Sequence, residues 1–238
     1  MHFSSSSFLV VAAAATAHAQ KTFTPSGFTP AASTQLDVLF NSTAVSTPGE
    51  LLSKAATAAQ PQLALASSAV SPQDTYVFVM LDLDVPPQGA DTTRRVLLHA
   101  MNTGFKATQQ SVAGGAVLLA SSDKGPAKYI GPGPPATDTI PHRYTQLLFK
   151  QPASLQVSAD AFADTQARFD FDVKAFAKEM GLGEPVAGNF FMVDGRVSAA
   201  AAPSGTRGAE FQGKAAAGGM PWGIAGLLGV SGLAFMAL

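Results

Sequence analysis

Tyr76-Val77-Phe78-Val79-Met80-Leu81 limits what this chain can fold into more than any other stretch. It is a continuous apolar run, aromatic and β-branched in part, and such a run reads as a strand buried on both faces. A strand covered on both sides needs further structure packed above and below its sheet. Asp82-Leu83-Asp84-Val85-Pro86-Pro87 follows directly. Two prolines cannot continue a central ladder, so the strand ends with two carboxylates close to the sheet's rim.

Shorter apolar runs at 36–40, 63–65, 96–101, 116–120, 144–149 and 189–193 are further strand candidates. Thr47-Pro48-Gly49-Glu50 reads as a turn. One helix is evident: Val173, Phe176, Ala177 and Met180 fall at i, i+3, i+4 and i+7. Asp172 can cap it, and Gly181 and Gly183 stop it. No period repeats along residues 20–200. Many strands followed by a late helix predict one mostly-β domain over 20–200, built as a sandwich.

Composition removes several function classes. With 15 basic against 16 acidic residues the chain has no global basic field for nucleic acid. The absence of cysteine excludes disulfides, thiolate zinc sites, iron–sulfur clusters and a cysteine nucleophile. With 47% of residues hydrophobic and 13% charged, the chain can fill a core without such staples.

Both ends read as addresses. Residues 1–19 carry no Asp, Glu, Lys or Arg, and the apolar run 8–15 precedes Ala17-His18-Ala19. That is a signal peptide with a small-x-small cleavage site. Residues 215–238 are also uncharged, and the apolar run from Met220 ends the chain without a following Lys or Arg. The small-residue and polar segment 201–214 precedes this tail. Small acceptor, spacer and terminal apolar tail are the parts of a GPI-attachment signal. Ser204, Gly205, Gly208 and Ala209 are the candidate acceptors, and a retained membrane helix is the competing reading. Asn41-Ser42-Thr43 is a glycosylation sequon. The expectation is a secreted, GPI-anchored glycoprotein at the cell surface.

The residues suited to chemistry lie beside the strands. Asp82 and Asp84 end the central strand, and His99 interrupts an apolar one. Gly131-Pro132-Gly133-Pro134-Pro135 is a stiff loop whose glycines let backbone approach a ligand. His142 and Tyr144 can each donate to an oxyanion, while a carboxylate can fix a His tautomer or hold an ammonium group. The set suits a small zwitterion or a phosphate monoester.

The order of these motifs resembles the phosphatidylethanolamine-binding protein (PEBP) family. The stretches that carry the resemblance are Asp82-Leu83-Asp84-Val85-Pro86, Arg94-Arg95, His99, Tyr129-Ile130-Gly131-Pro132-Gly133-Pro134-Pro135 and His142-Arg143-Tyr144. Arg168-Phe169-Asp170-Phe171 and Gly181 to Phe191 extend it downstream. The resemblance implies a β-sandwich of two antiparallel sheets, Greek-key in type, with one or two short helices near the domain's C-terminal end. It also implies a pocket for a phosphate-type anion or phospholipid headgroup. Carried over residue by residue, Asp82, His99, Gly131, Gly133, Pro134, Pro135, His142 and Tyr144 would line it. Asp84, Pro86 and Arg143 would support it. The sequence departs from the family pattern at Leu83 and Val85, where Pro and Ala are usual, and residues 136–141 form a segment one residue longer than usual.

The function expected from this is binding rather than catalysis, with no cofactor and no metal. A secreted inhibitor of a carboxypeptidase or serine protease is the alternative, since some members of the family inhibit such enzymes. A metal-dependent hydrolase is a minor one, because two His and two Asp are suitable ligands. No Gly-x-Ser-x-Gly elbow supports a serine hydrolase.

Overall fold

The computed structural model describes residues 21–123 and 125–197. The expected signal peptide, attachment region and apolar tail fall outside these residues.

Nine strands form: β1 (Asp37–Phe40), β2 (Thr43–Ala44), β3 (Glu50–Leu52), β4 (Gln62–Ala66), β5 (Thr75–Val85), β6 (Arg95–Val112), β7 (Ala116–Ala120), β8 (His142–Lys150) and β9 (Ala187–Val193). One α-helix, α1 (Val173–Met180), and the 3-10 turn Thr165–Arg168 lie late in the chain. Asp172 caps α1 by accepting from the Ala175 N–H at 2.9 Å. Gly181, with φ of 67°, ends it in the left-handed conformation that an L side chain resists.

The strands join in one sheet, in the order β2-β1-β4-β7-β6-β5-β8-β9-β3. Every pairing is antiparallel except β3 with β9. This corrects the expectation of two separate antiparallel sheets. The cause is β6, which is 18 residues long and passes from one half of the fold to the other. It pairs with β5 up to Lys106 and with β7 from Lys106 onward. Gly104, at φ of 74°, sits within the register shift where β6 turns between these partners.

The sheet curls until its ends meet. Phe40 on β1 and Phe191 on β9 are separated by five strands in sheet order, yet their rings pack edge-on at 5.1 Å. Gln35 bridges Gly188, and the Leu36 N–H donates to the Gly188 carbonyl at 2.8 Å. A Cβ on Gly188 would stand 2.8 Å from the Ala32 Cβ, so this closure requires glycine.

Side chains alternate along β5 and separate the two cores. Tyr76, Phe78 and Met80 face the interior of the curl with Phe40, Phe105, Leu148 and Phe191. Val77, Val79 and Leu81 face outward and are covered by Val173, Ala177 and Leu182 of the α1 region. Burial on both faces is thus met by the curl on one side and the helix on the other.

Candidate functional site

The interior face of β5 turns polar at its end. Asp82 continues the row Tyr76, Phe78, Met80, and it is only 3% exposed. Its partners across the ladders are Tyr144 on β8 and Leu97 on β6. His142, two residues before Tyr144, shares that face.

His99 reaches the same place through a bulge. Met80 pairs with Ala100 and Leu81 with Leu98, so His99 is an extra residue in β6. The bulge puts Leu98 in the outer core and Ala100 in the inner one, and leaves His99 aimed at the pocket. Its Nδ1 lies 2.7 Å from the Ile130 carbonyl. A carbonyl only accepts, so Nδ1 carries the proton and the neutral ring's lone pair is on Nε2. Burial holds the ring's pKa below 6.5, against the opposing pull of Ile130 and Asp82. Nε2 is buried without a hydrogen-bond partner, 3.9 Å from Asp82 Oδ2.

His142 is in the opposite state. Its Nδ1 lies 2.8 Å from Asp82 Oδ2 and its Nε2 2.8 Å from Asp138 Oδ2. Burial pulls its pKa down, but the two carboxylates outweigh burial and raise it above 6.5. Arg94 forks onto Asp138 with two bonds of 2.7 Å and also donates to the Asp84 carbonyl. Arg94 first, and then His142, hold the Asp138 carboxyl far below the usual carboxylate range, against its desolvation.

Asp84, two residues further along β5, is committed to Arg143. It accepts from the Arg143 backbone N–H and from two guanidinium nitrogens, each at 2.8 Å. Tyr144 is fully buried, stacked on Phe191 at 5.3 Å and edge-on to His99 at 5.2 Å. Its hydroxyl lacks a hydrogen-bond partner, and burial followed by the Asp82 charge raises its pKa. Arg168 is buried and donates to the Phe162 and Lys128 carbonyls at 2.9 and 2.7 Å. No carboxylate pairs with it among the described residues, and its positive charge is felt at His99.

Asp82, His99 and His142 border a cavity of about 240 Å³. Asp82, His99, Gly131, Gly133, Pro135, His142 and Pro86 line it together with Val85, Leu97, Ile130 and Phe169. Of the expected lining residues, Pro134 and Tyr144 are not in the wall. Pro134 is buried, and its carbonyl accepts from Lys54 Nζ at 2.7 Å. The Tyr144 ring packs into the core of the curl. Pro86, expected only as support, lines the cavity, whereas Asp84 and Arg143 stay out of it. Neither Gly131 nor Gly133 has positive φ. A Cβ on Gly131 would come within 3.3 Å of the Ala58 carbonyl, so close packing is what favours glycine there.

Sequence reasoning missed Asp138 and the role of Arg94. The available signal was an acid inside the extended segment before His142. Phe169 comes from the stretch beyond the 3-10 turn, brought in by its bridge to Leu97. No group of three or more His, Asp or Glu residues is arranged to hold a metal ion among the described residues.

A curled mixed sheet with a largely apolar pocket that holds Asp82, His99 and His142 at the end of its interior face is the class of fold observed. The sequence profile of the phosphatidylethanolamine-binding protein family matches residues 41–191, and the chain belongs to that family. It is 35% identical to the phomoidride biosynthesis cluster protein N of Talaromyces stipitatus, over 78% of this chain and 95% of that one. It is 30% identical to a 26 kDa secreted antigen of Toxocara canis, over 68% of this chain and 57% of that one. Among solved structures it resembles the carboxypeptidase Y inhibitor complexed with its cognate proteinase, with a TM-score of 0.52 and 26% identity. That match covers 69% of this chain and 84% of the inhibitor.

Proposed function

We propose that the protein binds a small phosphate-type anion or phospholipid headgroup in the cavity beside Asp82, His99 and His142. The observation that carries this reading is the buried, unpartnered His99 Nε2 facing Asp82 across 3.9 Å. A lone pair opposite a carboxylate calls for a shared donor, and a ligand N–H or O–H between them supplies it. An ammonium group or a protonated phosphate hydroxyl fits that place. The Gly131 and Gly133 backbone borders the cavity and offers N–H groups to an oxyanion. The unmatched charge of Arg168 favours an anion nearby. The protein is then a binding protein and not an enzyme.

Calorimetric titration with phosphoethanolamine tests this. One-to-one saturable binding that weakens at least about tenfold in His142→Ala is expected, because His142 balances Asp82 at the cavity wall. Absence of saturation, or an unchanged His142→Ala, overturns it.

The likeness to the carboxypeptidase Y inhibitor supports a second reading, inhibition of a secreted or vacuolar peptidase. A panel of serine carboxypeptidases and serine proteases tests it, and uniform inactivity removes it. Secretion rests on the uncharged N-terminal run and on the secreted relative, and a GPI anchor at the cell surface rests on the uncharged C-terminal tail alone. Release from cells by a phosphatidylinositol-specific phospholipase checks the anchor. Asn41 is exposed on the β1–β2 turn with φ of 50°, a conformation asparagine tolerates, and an enzyme can glycosylate it there.

A further inference from the structure

Asp138 lies in the 136–141 segment, outside the strands, yet it is only 8% exposed. Its Oδ1 accepts from Arg94 at 2.7 Å. Its Oδ2 is shared between Arg94 at 2.7 Å and His142 Nε2 at 2.8 Å. A guanidinium fork with an imidazole N–H beside it is a donor array that holds two oxygens of a phosphate. Here an oxygen pair from the protein's own loop holds that array. Its neighbours Thr137, Thr139 and Ile140 are exposed, so a short loop delivers a buried carboxylate from the surface.

Orientation of His142 does not require this contact. Asp82 already fixes the ring through Nδ1 at 2.8 Å. Arg94 likewise has a second acceptor in the Asp84 carbonyl. Asp138 is not in the cavity wall; of its two partners, His142 lines the cavity, and Arg94 lies outside the wall and bonds to the Asp84 carbonyl at the end of the strand that carries Asp82.

We propose that Asp138 is a tethered stand-in for a ligand's anionic group and sets the specificity of this pocket. While its carboxylate holds His142 Nε2 and Arg94, free phosphate cannot use those donors. The pocket then favours a ligand with a second contact at His99 Nε2 and Asp82, such as the ammonium end of a zwitterionic headgroup. The proposal rests on the headgroup reading in placing a ligand's donor end at His99 Nε2 and Asp82.

Calorimetry with inorganic phosphate and, separately, with phosphoethanolamine tests it on the wild-type protein, Asp138→Ala and Asp138→Asn. Asp138→Ala frees the Arg94 and His142 donors, Asp138→Asn leaves one acceptor oxygen where there were two, and both remove a negative charge. Phosphate affinity is expected to rise at least about tenfold in each, and the preference for phosphoethanolamine over phosphate to shrink. Phosphate binding by the variants that is absent, or no tighter than wild type, overturns the proposal. If wild type still binds phosphoethanolamine in that case, the headgroup reading stands and only the role of Asp138 falls. If wild type binds neither ligand while Asp138→Asn binds phosphate, the headgroup reading falls for the native protein and Asp138 remains the block. Should Asp138→Ala fail to fold, the near-isosteric Asp138→Asn carries the test.

Discussion

Asp82 and His142 stand 60 positions apart in the chain and meet at 2.8 Å between carboxylate and Nδ1. The sheet brings them together. β5 and β8 pair with Asp82 opposite Tyr144, and His142 lies two residues along on the same face. The contact sets the His142 tautomer and leaves Asp82 Oδ1 for the Asp84 N–H at 2.8 Å. His99 faces the same carboxylate from β6, so one acid meets two histidines in oppositely shifted states, His99 with its pKa lowered chiefly by burial and His142 with its pKa raised, against burial, by two carboxylates.

Those states predict a split titration. His142 should titrate above 6.5 and His99 below it, read from side-chain nitrogen and proton shifts against pH. For stability the signs are opposite. The raised pKa of His142 gives a contribution that is full below about 6.5 and is lost as pH rises through its folded value. The lowered pKa of His99 gives a contribution that is full above about 6.5 and is lost as pH falls through its folded value. The denaturant midpoint difference between wild type and His142→Gln should therefore shrink on going from mildly acid to alkaline solution. A difference that grows would contradict the assignment.

Tyr144→Phe separates binding from folding. The hydroxyl is buried and unpartnered, and such a group costs about 1–3 kcal/mol of stability. Its removal should leave the melting temperature unchanged or raise it. A loss of stability would show that the hydroxyl has a partner in the folded protein.

Asp84→Asn tests the support behind the pocket. Asp84 is 2% exposed and takes three bonds from Arg143. Burial opposes its ionisation, but Arg143 holds its pKa below 3.8, so its contribution is present above about pH 4 and is lost in acid. The substitution should cost about 3 kcal/mol near neutral pH in urea unfolding, with the loss smaller in acid. Equal loss at all pH values would mean shape rather than charge matters.

The central strand was legible because its apolar run needs no partner to be recognised. The helix was legible through its cap and period. The single curled sheet was not. It depends on residues 102–112 continuing β6, and Asn102, Thr103, Gly104 and the Gln109-Gln110 pair carry no strand signal of their own. β2 and β3, with two and three residues, are held by their neighbours rather than by propensity. The bulge at His99 is a register effect between two strands, invisible along one. The Arg94–Asp138 fork joins residues 44 apart, and charge alone does not choose such partners.

Gly195→Ala probes how firmly the proline loop is seated. A Cβ there would stand 2.2 Å from the Pro135 carbonyl oxygen and 2.5 Å from that of Pro134, so the backbone must move. Headgroup binding should fall at least about tenfold, with a destabilisation of about 1–3 kcal/mol. Unchanged binding would show that the loop tolerates displacement.

The most direct test of the headgroup pocket is the long-range nitrogen–proton spectrum of the His99 and His142 rings during titration with phosphoethanolamine. Binding at this cavity predicts that the His99 Nε2 resonance shifts from that of a free lone pair toward a hydrogen-bonded one, saturating with ligand. His99 Nδ1, held by Ile130, should move little. If neither ring responds while the ligand binds elsewhere, or at saturating concentration, the cavity is not the headgroup site.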